Sequence, residues 1–140
     1  RAGDELMELA DKVRAAKRVY LIGNGGSHAN AMHIANDLLA CGIRAYTLDA
    51  ASLTAIANDF GYEHIFSKWL ATVGEKGDLL IALSGSGKSR NILNALAMAD
   101  EIGMESVLIS DHLQTMDMQQ SEEAQIALGH ELMRCLRPQN

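Results

Sequence analysis

Two short runs carry side chains whose types and spacing could do chemistry. The first is Gly23-Asn-Gly-Gly-Ser27, with His33 and Asp37 following it. The second is Ser84-Gly-Ser-Gly-Lys-Ser89, which follows the apolar run Leu79–Leu83. His33 and Asp37 are i and i+4, so a helix would turn both to one side. An imidazole and a carboxylate so placed suit a metal ion. The same spacing also describes an ordinary surface pair; its place just after a glycine-rich turn favours the ligand reading. In the second run Ser84, Ser86 and Ser89 present hydroxyls, while Gly85 and Gly87 let backbone N–H groups come close. A helix beginning near Ser89 would turn its positive end toward the loop. That combination suits one terminal phosphate, although a plain strand–helix turn with a serine cap reads the same way.

Gly87-Lys88-Ser89 also resembles the end of a nucleotide-binding P-loop. That loop needs G-x-x-x-x-G-K-[ST], which puts its first glycine at position 82. Position 82 is alanine, inside the apolar run, so the loop is too short to wrap a β-phosphate. Val107–Asp111 could pass for the second nucleotide motif, but apolar strands ending in aspartate are common.

The elements that must position these residues alternate. Asp4–Lys17 has helical spacing, with Leu6, Leu9, Ala10, Val13 and Ala16 on one side. Arg18–Ile22 reads as a strand. Ser27 is the expected N-cap of a helix over His28–Cys41, which Gly42 ends. Ile43–Leu48 reads as a strand, Leu53–Asn58 as a short helix and Tyr62–Val73 as a longer one. Leu79–Leu83 has the continuous apolar character of a strand buried on both faces. A helix over Ser89–Ile102 follows, then a strand at Ser106–Ile109 and a helix from Glu122 to Leu136. This order predicts an α/β fold, a parallel sheet with helices on both faces. Ligands in such sheets bind at the carboxyl ends of strands, where both glycine–serine runs fall.

The 140 residues fit one domain, 1–140, without a repeat or linker. Net charge is −6, which argues against nucleic acid and anionic membrane as partners but not against a small phosphorylated ligand. No apolar run is long enough to span a bilayer, and no signal peptide is visible. The 2 cysteines, Cys41 and Cys135, fit neither a disulfide framework nor a paired metal spacing, so a reducing, cytoplasmic setting is expected.

Gly23–His33, GNGGSHANAMH, resembles the opening motif of the phosphoheptose isomerases of the sugar isomerase (SIS) domain family. Ala57–Gly61 (ANDFG), the Ser84–Ser89 loop and Gly129-His130 agree in the same order. The resemblance spans Arg18 to Leu136 and implies a three-layer, flavodoxin-like α/β/α fold. It implies a ketose–aldose isomerase acting on sedoheptulose 7-phosphate, a homo-oligomer (tetramer or dimer), and a divalent metal, zinc in most of the family. By motif, Asn24, Gly25, Gly26, Asn58, Asp59 and Glu122 would hold substrate, and Ser84, Gly85, Ser86 and Ser89 its phosphate. His33, Asp37, Glu122 and His130 would hold the metal, with Asp37 and His130 sharing proton transfer.

The sequence departs from the family at two ligand positions: Asp37 stands where the family has Glu, and Glu122 where it has Gln. Glu122 and His130 are eight apart, about 12 Å along a straight helix. One metal could take both only if Glu122 precedes the helix or if different subunits contribute them. The connections from Asp37 to Asn58 and from Ser89 to Glu122 are shorter than in the family. Asp111–Gln120 is polar where relatives add a strand, so four strands are expected. A non-catalytic SIS module that binds a sugar phosphate or a protein partner is the second reading. A small nucleotide kinase is the third, disfavoured by Ala82.

His28 beside the first loop reads equally as a substrate contact or a surface residue, and Lys88 as a phosphate partner or a solvated loop residue. His64 and His112 are expected at the surface, Trp69 and the methionines in the core, and the cysteines inert.

Overall fold

The computed structural model describes residues 2–111 and 116–138; His112 lies outside them. Among these residues the elements run α1 (Ala2–Ala15), β1 (Val19–Gly23), α2 (Gly26–Ala40), β2 (Ala45–Thr47), α3 (Ala50–Phe60), a 3-10 turn (Tyr62–His64), α4 (Ile65–Val73), β3 (Leu79–Leu83), α5 (Arg90–Ile102), β4 (Glu105–Ile109) and α6 (Met118–Leu136). The four strands are all parallel, in the order β2-β1-β3-β4.

β1 and β3 are buried along their whole length, because helices cover both faces of the sheet. Val19, Leu21, Leu79, Ile81 and Leu83 face one core with α1, α2 and α6. Tyr20, Ile22, Leu80 and Ala82 face the other with α4 and α5, and α3 packs at its edge. The expected three-layer α/β/α sandwich is therefore what forms. Burial, with the Asp78 carboxylate nearby, pushes the Tyr20 phenol above its ordinary pKa; it donates to the Val73 carbonyl at 3.0 Å.

Several boundaries differ from expectation, each for a local reason. β2 starts at Ala45 rather than Ile43, because the Ile43 N–H still bonds the Leu38 carbonyl at the end of α2. α3 is longer than Leu53–Asn58, since Asp49 caps it by accepting from the Ser52 N–H at 3.0 Å. α6 begins four residues before Glu122, where Asp117 and Gln120 form a reciprocal capping box. The expected cap at Ser27 is not one: α2 starts at Gly26, capped by Gly25 at φ 55°. Ser27 is buried and its hydroxyl accepts from Gln125 Nε2 at 3.0 Å. The methionines also divide: Met104 is buried, while Met7, Met32, Met116 and Met118 are exposed.

Candidate functional site

β1 and β3 are neighbours, and Gly23 pairs with Leu83 at their carboxyl ends. The chain then leaves in opposite directions, β1 into α2 on one face and β3 into α5 on the other. A crevice opens where such a sheet reverses its winding. The two glycine–serine runs meet at that crevice.

The serine loop is shaped by its own hydroxyls. Ser84 Oγ accepts from the Gly87 N–H at 3.0 Å, and Ser86 Oγ accepts from the Lys88 N–H at 3.1 Å. Each hydroxyl keeps its own O–H to donate. Ser89 is the N-cap of α5 but its side chain makes no capping bond, and no acidic residue lies in the first turn of α5. The positive end of the helix is thus left to an outside anion. Lys88 and Arg90 are exposed beside it.

The first loop is braced by α6. Asn30 Nδ2 donates to the Glu122 carbonyl and to Gln125 Oε1, both at 2.9 Å. The Glu122 carboxylate lies against Gly26, in space that any Cβ at position 26 would need. Only glycine allows that approach. Asn24, expected to contact substrate, is paired with Asn91: Asn24 Nδ2 donates to Asn91 Oδ1 at 2.9 Å, and Asn91 Nδ2 returns a bond to Asn24 Oδ1 at 2.8 Å. The Tyr62 hydroxyl donates to the same Asn24 Oδ1 at 2.9 Å. Tyr62, Asn91, Gln125, Asn30 and Ser121, whose side chain lies against Gly85, were not legible as site residues. Their partners are distant in sequence, and no local spacing marks them.

His33, Asp37 and His130 converge. The two Nε2 atoms stand 3.1 Å apart, and Asp37 Oδ2 lies 3.4 Å from His33 Nε2 and 3.8 Å from His130 Nε2. The Asp37 side chain is only 14 % exposed, and its buried Oδ2 has no hydrogen-bond partner. An orphaned carboxylate oxygen between two imidazole nitrogens is the donor set a divalent cation needs. Ligand atoms about 2.0–2.1 Å from a tetrahedral zinc stand about 3.3–3.4 Å from one another, close to these spacings. The residues fit a metal. Glu122 lies two helical turns before His130 on α6, and within this one chain the cluster consists of His33, Asp37 and His130.

Asn58 and Asp59 end α3, exposed, with Asn58 Nδ2 donating to Asp59 Oδ1 at 3.1 Å. Among the described residues neither bonds to the two loops or the cluster. His28 is half-buried with its Nδ1 unpartnered, and His64 stands 3.4 Å from Glu63. Trp69 packs edge-on to Tyr20. Cys41 and Cys135 are free thiols. Among the described residues no helix is long and apolar enough to cross a membrane.

Residues 5–110 match the SIS domain family. The chain is 39% identical over 109 residues to the phosphoheptose isomerase of Histophilus somni, covering 73% of this chain and 56% of that one. It is 41% identical over 108 residues to the phosphoheptose isomerase of Akkermansia muciniphila, covering 71% and 57%. The chain thus spans about half the length of the curated relatives it matches. The solved phosphoheptose isomerase of Neisseria gonorrhoeae superposes with a TM-score of 0.84 at 28% identity, over 96% of this chain and 82% of that one.

Proposed function

Because this chain belongs to the SIS domain family, we propose that it is a ketose–aldose isomerase acting on a phosphorylated sugar of the sedoheptulose 7-phosphate type. The observation that carries this reading is the His33–Asp37–His130 cluster, set along α2 from a crevice with an anion cradle. Its relatives' names support the same activity.

In this reading the phosphate lies on Ser84, Gly85, Ser86 and Ser89, held by hydroxyls, backbone N–H groups and the start of α5. The sugar runs past Asn24, Gly25, Gly26 and Glu122, with Asn58 and Asp59 at its margin. Isomerisation moves a proton from the hydroxyl-bearing carbon to the neighbouring carbonyl carbon, and a second proton between their oxygens. Asp37 and His130 share that transfer: one accepts from carbon while the other donates to oxygen, and the roles reverse in the second half. His33, Asp37 and His130 would hold a divalent ion, zinc in this proposal, which when bound supplies positive charge for the developing enediolate oxygen. The reading includes a cytoplasmic homo-oligomer, dimer or tetramer. The exposed Met32 and Leu39 on α2 are suited to a subunit contact beside the cluster.

The experiment is conversion of sedoheptulose 7-phosphate by zinc-loaded protein, followed as aldose formation. Asp37→Asn and His130→Gln, each checked for folding, are expected to lower turnover by about 100-fold or more. Wild-type turnover in both would end the assignment. A second reading, a non-catalytic module that binds the sugar phosphate, is favoured by the two departures from the family, Asp37 in place of Glu and Glu122 in place of Gln. Saturable binding without turnover would select it.

A further inference from the structure

The sheet sets the spacing of the two loops only as far as Gly23 and Leu83. Beyond that point they enter helices on opposite faces, and backbone pairing no longer holds them together. Asn24 and Asn91 span the gap with two reciprocal amide bonds, and Tyr62 adds a third bond to Asn24 Oδ1. Asn91 is 3% exposed, so its amide is shut away from solvent and committed to this pairing. The turn that carries Tyr62 is itself tied to α5, because Asn94 Nδ2 donates to the Glu63 carbonyl at 3.0 Å. These residues surround an open cleft of about 710 Å³ whose walls include Ser89 and Arg90.

We infer that Asn91 and Tyr62 are positioning residues that, through Asn24, hold the first loop and the serine loop at one spacing, so that a single sugar phosphate engages both. The inference rests on the proposed function above and adds to it the element that aligns the two half-sites. The bonding also specifies how Asn24 meets a ligand. Its oxygen accepts two bonds and one of its N–H groups is used, which leaves one N–H. Asn24 therefore offers a donor to a sugar oxygen and no acceptor to a sugar hydroxyl.

A purely structural amide pair and a spacing device differ in what they do to two ligands. Inorganic phosphate needs only the serine loop, whose internal bonds do not involve Asn91. Sedoheptulose 7-phosphate must reach both loops. The experiment is calorimetric titration of the full chain with each ligand, for wild type, Asn91→Ala and Tyr62→Phe. Asn91→Ala is expected to weaken sedoheptulose 7-phosphate about tenfold, and Tyr62→Phe about threefold, while inorganic phosphate changes by less than about twofold. Tyr62→Phe removes only a hydroxyl from an exposed ring, so it tests the inference even if Asn91→Ala does not fold. Equal weakening of both ligands, or no weakening of the sugar phosphate, would overturn the inference and leave the proposed function standing. A wild-type protein that binds phosphate but not the sugar phosphate would overturn the proposed function, and the inference with it.

Discussion

Replacing Gly129 by alanine tests whether the contact of α2 and α6 sets the geometry of the histidine–aspartate cluster. Gly129 immediately precedes His130, and Ile34 immediately follows His33. A Cβ at position 129 would stand 2.5 Å from Ile34 Cγ1 and 2.9 Å from its Cδ1, where ordinary contact begins at 3.4 Å. Ile34 is 3% exposed and packed in the core between the sheet and its helices. The helices must part, and the 3.1 Å separation of the two Nε2 atoms grows with them. Overpacking of this kind costs about 1–3 kcal/mol, against about 1 kcal/mol gained because alanine favours helix over glycine. The net loss of stability is therefore expected at about 0–2 kcal/mol. Zinc affinity should fall about 10–100-fold, about 1.4–2.8 kcal/mol, as when groups orienting a metal's ligands are disturbed. Competition with a chromophoric chelator measures the affinity, and denaturant unfolding the stability. The double variant Gly129→Ala/Ile34→Ala removes the colliding atoms and should recover most of the affinity. A single variant that gains the full helix-propensity increment of about 1 kcal/mol and binds zinc within about twofold of wild type would refute the reasoning.

Glu122→Gln should leave zinc affinity within about twofold of wild type, since eight residues of α6 separate Glu122 from His130 by about 12 Å; the same chelator competition checks it, and a large loss would return Glu122 to the ligand set. The Asp49 cap on α3 predicts a pH dependence. The Ser52 N–H bonded to it holds the Asp49 carboxyl below its ordinary pKa. A folded pKa below the unfolded one stabilises in full above the unfolded value of about 3.9 and is lost as pH falls through the depressed one. The Tm difference between wild type and Asp49→Ala should then be constant from pH 7 to about 5 and shrink toward pH 3. A difference that holds constant to pH 3 would show that the carboxylate does not carry the cap.

Much of the site was legible in the sequence because its parts are local. Leu79–Leu83 had to be a strand covered on both faces. A glycine-rich turn after each of the two central strands had to lie at their carboxyl ends. The i, i+4 spacing of His33 and Asp37 placed them on one side of a helix whatever that helix packed against. Where the reading failed, the missing information was a partner. Ser27 looks like a cap until Gln125, 98 residues away, takes its hydroxyl. Helical spacing alone suggests core positions, yet among the described residues Met7, Met32 and Met118 stand exposed on their helices.

The sequence by itself thus determined the alternation of strands and helices, the two turns at the rim and the imidazole–carboxylate pair. Those follow from periodicity and from backbone preferences within a few residues. The family motif already pointed to His130; only the tertiary structure decided how near it stands to that pair, that Glu122 turns to Gly26, and that Asn24 is bound to Asn91 across 67 residues. These outcomes depend on how closely α2 and α6 pack and on which loops the sheet sets side by side. Such distances are set by packing between elements, and no local spacing encodes them.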